Sequence, residues 1–129
     1  MNPFYQRDTD QSFSAACTAL EAAIPAHGFG LLTVHDLGET LRSKGLDFPE
    51  QCLVFEVCNP QQAAKVLRAD IHLATVLPCR ISVTTQAGRT QIGMVRPTLM
   101  LSALSSDPEL AEVARQVEAT TIAIIEAAA

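Results

Sequence analysis

Two stretches of this chain put reactive side chains where backbone geometry can act on them: Cys58-Asn59-Pro60 and Leu77-Pro78-Cys79-Arg80. In the first, a thiol stands just before a helix-starting signal. Asn59 can accept from a free N–H of the first turn. Pro60 suits the first helical position, where its missing N–H is no loss. Gln62 can return a bond to the cap, a looser form of the capping box. A Cys58 thiolate would then feel the positive end of the helix dipole, a setting that activates cysteine as a nucleophile. Cys79 would be its resolving partner or second ligand. The same turn supports a chemistry without sulfur. The N–H groups of Gln61 and Gln62, with Arg80 near, would make a pocket for a small anion.

Other features weigh against sulfur chemistry. Strand parity groups Cys79 with Ile81 and Val83, and Cys58 with Val54 and Glu56. The two sulfurs are therefore expected on different sides of a sheet, whereas a disulfide needs Cα atoms within about 7 Å. Glu56, on the Cys58 face, opposes a thiolate. A plainer reading makes both cysteines small buried residues at tight strand ends. His35, His72, Cys58 and Cys79 are the soft ligands available to a metal, but no pair has Cys-x-x-Cys or His-x-x-x-His spacing, so neither metal nor cofactor is expected. A Ser-His-Asp set can be written from His35 and Asp36, yet there is no nucleophile elbow.

The elements that must position these residues follow from periodicity and punctuation. Tyr5–Asp8 is a short first strand. Ser12 starts a helix whose Phe13, Ala16, Cys17, Leu20 and Ile24 form one apolar stripe, and Gly28 ends it with His27 beside the cap. Phe29–His35 is the second strand. Asp36, with Glu39 three residues on, caps a short helix that turns Leu37 and Leu41 to the core and stops at Gly45. Arg42 and Lys44 read as its solvated, dipole-favoured end. Leu53–Val57 is the strand into Cys58, and the helix after Asn59 runs to about Asp70. Ile71–Pro78 reads as a long loop. Ile81–Gln86 and Thr90–Val95 flank Ala87-Gly88-Arg89 as a hairpin. Pro97–Leu104 is apolar and irregular, a last short strand or a core-covering loop. Asp107 or Ser106 caps a final helix with Leu110, Val113, Ala114, Val117, Thr121, Ile124 and Ile125 on its buried stripe.

This order gives an α+β layer: a single mixed or antiparallel sheet of four to five strands with helices mainly on one face. On the other face, Leu31, Thr33 and His35 line up with Val54, Glu56 and Cys58 and with Arg80, Ser82 and Thr84. The mixture is neither dry core nor fully wet, which suits a homodimer surface.

At 129 residues the chain is long enough for one domain over residues 1–129. Being 48% apolar, it is not a disordered chain. A net charge of −5 argues against nucleic acid or an anionic membrane as partner. No run approaches the roughly 20 apolar residues of a membrane helix. The polar Met1–Gln11 stretch lacks the layout of a signal peptide. A cytoplasmic site is expected, where the four cysteines would stay reduced.

Gly28-Phe29-Gly30 leading into a strand, Cys58-Asn59-Pro60 with Ala63 after it, and Leu77-Pro78-Cys79 before a strand together resemble the domain-of-unknown-function family 302. The resemblance runs from about Ser12 to Ile125. It implies a compact α/β domain that often forms homodimers, and it implies no activity. The chain departs from the family pattern at Pro25, inside the first helix, and at Thr85-Gln86, where many members carry an acidic residue. The leading expectation is a small-ligand binding or interaction module at the start of the Asn59 helix, with contacts from Cys58, Asn59, Gln61, Gln62 and Arg80. The alternative is a thiol-dependent redox or sulfur-handling protein using Cys58 with Cys79.

Overall fold

The computed structural model describes residues 2–129. Along the chain run β1 (Phe4–Thr9), α1 (Phe13–Ala26), β2 (Gly30–Asp36), α2 (Leu37–Ser43), β3 (Cys52–Cys58), α3 (Pro60–Ala69), β4 (Cys79–Gln86), β5 (Arg89–Val95), α4 (Pro97–Leu104) and α5 (Pro108–Ala128). The strands form one antiparallel sheet in the order β1-β5-β4-β3-β2. Its centre is fixed by the register of β3 on β4, which sets Val57 opposite Cys79 and Glu56 opposite Arg80.

Alternation along the strands makes two unlike faces. Phe55, Val57, Ile81, Val83, Ile92 and Met94 are buried under the helices. α1 and α5 lie against each other over the sheet, and α3 and α4 pack on α5. The long stripe of α5 is buried as its spacing predicts, from Leu110 to Ile125. Among the described residues, the opposite face carries no helix layer. There Val54, Ser82, Thr84 and Gln91 are half-buried, and the register partners Phe4 and Val95 are exposed.

The two ends of the chain are fastened together. Tyr5 and Arg7, both on the helix side of β1, bond to the Glu126 carboxylate near the end of α5. The Gln11 amide donates to the Ala128 carbonyl at 2.7 Å.

Five expectations change. Leu32 makes a bulge in β2, so Leu31 pairs with Val57 on the helix side while Thr33 and His35 stay on the uncovered face. Leu37 is exposed, although α2 packs against β3. Residues Ile71–Val76 form a 3₁₀ helix opened by the Asp70 carboxylate, which accepts from His72 N–H at 2.9 Å. Pro97–Leu104 is a helix whose first turn is capped from outside. Glu118 on α5 accepts from the Thr98 N–H at 3.1 Å and from its hydroxyl at 2.7 Å. Arg42 also does more than face solvent, since its guanidinium donates to the Phe48 and Glu50 carbonyls at 2.9 and 3.0 Å and so pins the loop into β3.

Candidate functional site

The turn between β3 and α3 forms as the residues dictate. Asn59 is extended, and its Oδ1 accepts from Gln61 N–H at 3.1 Å and Gln62 N–H at 3.2 Å. Its carbonyl takes the Ala63 N–H at 2.9 Å. Pro60 has no N–H to offer. Every donor of the first turn is thus absent or occupied, which removes the basis for an anion pocket at Gln61 and Gln62. Arg80 does not join the turn either. It is exposed, stands opposite Glu56 on the uncovered face, and lies outside the cavity described next. Gln62 closes no capping box: its side chain crosses to α5 and donates to Gln116 Oε1 at 2.8 Å.

Behind the turn lies a cavity of about 260 Å³. Phe29 and Val57 form its sheet side, Ala63 and Val66 come from α3, and Met100 and Val117 come from α4 and α5. β3 runs into the Asn59 cap, and the Leu77–Pro78 connection, whose peptide bond is cis, leads into β4. Nearly all of the wall is carbon and sulfur. Asn59 and Gln62 are the polar side chains that reach it, besides the thiols. A second cavity of about 310 Å³ is shared by the Cys79–Ser82 end of β4 with Phe4, Gly93 and Val95, beside the uncovered sheet face.

Cys58 and Cys79 both line the cavity behind Asn59, so the strand-parity expectation that kept them apart is corrected. Cys58 is the last residue of β3, where the chain turns into the cap and the alternation of the strand ends. The two thiols are free. Neither is activated. Burial pushes the Cys79 thiol up to about 11, and a charge on Cys58 adds to the effect. Burial raises Cys58 as well. A thiolate needs a cation or open dipole donors, and this helix start supplies its donors to Asn59. Cys17 sits in the core stripe of α1, where burial pushes it up to about 11, and a free thiol there acts as a small hydrophobe.

The histidines are elsewhere. His35 Nε2 meets Glu56 Oε1 at 2.5 Å on the uncovered face. His72 pairs with Asp70 at 3.0 Å, and His27 Nδ1 meets the Ala23 carbonyl at 2.8 Å. Among the described residues, no three of His, Cys, Asp and Glu are grouped as metal ligands.

Met100, among the residues lining the cavity, was not expected from the sequence, and neither was the contact that holds the expected Gln62. Met100 lies in the stretch whose helix the sequence hides. The Gln62 contact with Gln116 spans 54 residues and leaves no local signal. Gln62 Oε1 is also buried without a hydrogen-bond partner, the one such side-chain atom among the described residues.

No curated protein matches the chain. It is similar over its whole length to a solved structure, that of an uncharacterized conserved protein DUF302 from Bacillus stearothermophilus. The two share 33% identity with a TM-score of 0.94, and 100% of each chain is covered. The family described as domain of unknown function DUF302 matches residues 5–128. With that family covering nearly every residue from β1 to the end of α5, the chain belongs to the DUF302 family.

Proposed function

We propose that this protein binds a small uncharged molecule in the cavity behind Asn59. One observation carries the reading: a space of about 260 Å³, walled almost wholly by apolar groups, opens beside the start of α3. Interiors otherwise pack with few voids larger than a water molecule. An apolar cavity of roughly 150 Å³ already takes up benzene, so this space suits a ligand smaller than those of ordinary pockets, which begin at roughly 300 Å³. An anion is a poor occupant, because the turn has no free donor and Arg80 points to another surface. The thiol alternative is opposed by the same burial that makes the cavity apolar, since both thiols hold their protons.

A thermal-shift panel of small apolar and amphipathic molecules tests this. A true ligand at a hundred times its Kd would stabilise the fold by about 2.7 kcal/mol. Ala63→Leu, which fills the space from α3, would abolish the shift. If no compound raises the melting temperature, or if Ala63→Leu leaves the shift intact, the cavity is not a binding site.

The uncovered sheet face supports a second role, as the interface of a homodimer. Its half-buried Val54 and exposed Phe4 and Val95 share one side of an otherwise bare sheet. Light scattering of the unmodified chain and of Val54→Lys decides this. A dimer that Val54→Lys splits supports it, and a monomer at millimolar concentration removes it. Four unpaired cysteines suit a reducing compartment, and we place the protein in the cytoplasm. Retention of all four as thiols in protein isolated with an alkylating quench would agree, and a disulfide would not.

A further inference from the structure

Gln62 gives the cavity a polarity. Its amide orientation is fixed by a chain of bonds across α3 and α5. Glu112 is a carboxylate and can only accept, so the Gln116 amide N–H donates to it, at 3.2 Å. Gln116 Oε1 therefore faces Gln62 and accepts from the Gln62 amide N–H at 2.8 Å. The Gln62 carbonyl oxygen is left on the other side, buried and without a partner. An amide oxygen has two lone pairs, and one left unpaired in the interior is costly. Asn59 cannot relieve it, because its own Oδ1 is bound into the helix cap. A water molecule is a poor substitute in a carbon-lined space, since buried water needs two or more polar partners.

We propose that Gln62 Oε1 is the specificity acceptor of the cavity, and that the ligand is a neutral, mainly apolar molecule carrying one hydroxyl or N–H donor. This rests on the cavity being a binding site, as proposed above. Scaling from benzene in roughly 150 Å³, the cavity of about 260 Å³ holds about ten non-hydrogen atoms, a single ring or fused pair with a short substituent. The oxygen is sealed from water in the empty cavity. Gln62 lines the cavity, and a rotation about its terminal torsion, which is broad, would be needed to turn this water-inaccessible oxygen to a donor there. A carboxylate is excluded, because two oxygens bearing negative charge would meet with no donor between them.

Three probes of nearly one shape separate the possibilities: indole, which has an N–H; benzofuran, which has an acceptor oxygen in its place; and indole-3-carboxylate. Each is titrated into the full chain by calorimetry, and into Gln62→Met, which keeps the side chain's length and removes its carbonyl. The expected result is indole tighter than benzofuran by about tenfold, the size of one good neutral hydrogen bond, with no binding of the carboxylate. In Gln62→Met that preference disappears while benzofuran binds at least as well as before. Equal binding of indole and benzofuran to the unmodified chain overturns the role of Gln62 and leaves the cavity standing as a site, and so does a preference that survives in Gln62→Met. If the unmodified chain binds neither these probes nor any member of the wider panel, the cavity reading itself fails, and this inference with it. The first comparison needs no variant, so misfolding of Gln62→Met cannot shelter the idea.

Discussion

Raising the pH should weaken this protein through Cys79 by an amount the structure sets. Burial favours the neutral thiol, so the folded chain keeps the Cys79 proton to about 11, against 9.0 for an unburied cysteine. Between those values the folded state binds more protons than the unfolded state, and stability falls as pH rises. The contribution is whole below about pH 9 and gone above about 11. At roughly 1.36 kcal/mol per pH unit it amounts to at most about 3 kcal/mol. Cys17 and Cys58 are shifted the same way, so the measurement is a difference. Denaturant unfolding of the chain and of Cys79→Ala is compared from pH 8 to 11. The packing lost in the variant is independent of pH, and the gap between the two should narrow as pH climbs. The same shift leaves the folded thiol with about one hundredth of an ordinary cysteine's thiolate at pH 7, so alkylation followed by mass spectrometry should find it correspondingly slow. A gap that stays flat or widens would refute the reasoning. So would alkylation of Cys58 or Cys79 with a midpoint below about 8.5, which would restore the thiol chemistry that the geometry argues against.

Other outcomes follow from single contacts. Asn59→Ala removes the acceptor of two N–H groups and should cost about 1 kcal/mol in urea unfolding, while Asn59→Asp keeps the cap and should cost much less. Ala87 has φ of +51° and Gly88 +80°, the two positive values of a tight hairpin turn. Ala87→Asn should therefore raise stability by up to about 1 kcal/mol, seen as a higher melting temperature. Glu118→Ala strips α4 of the first-turn side-chain cap seen among the described residues and should cost about 1–2 kcal/mol. Amide exchange should then quicken at Thr98 to Met100 more than at Leu110 to Val113.

The sequence was legible wherever one element carried its own signal. Ser12, Asp36, Asn59 and Asp107 each cap the helix their side chains announce. The α5 stripe is buried position for position because a long amphipathic helix has only one way to face a sheet. What failed was information held between elements. No cap precedes α4 in the sequence, since the cap is Glu118, 20 residues downstream. Parity misplaced Leu31 because one inserted residue, Leu32, shifts the ladder register, and a bulge has no fixed sequence mark here. At the site, Cys58, Asn59, Gln62 and Cys79 do come together, and Gln61 and Arg80 take no part in the cavity. The cap itself argues against an anion there. Asn59 accepts from both Gln61 and Gln62, where its residue type alone announces a single capping bond.

The fastening of β1 has a consequence for how the protein is made. Among the described residues, Phe4–Thr9 takes its strand partners from β5 alone. During translation Asp8 waits for Arg89, 81 residues later, and Arg7 waits for Glu126, 119 residues later. β1 thus stays without its strand partner until β5 is made, and a nascent chain stalled before β5 would leave β1 unpaired and β4 as a bare edge.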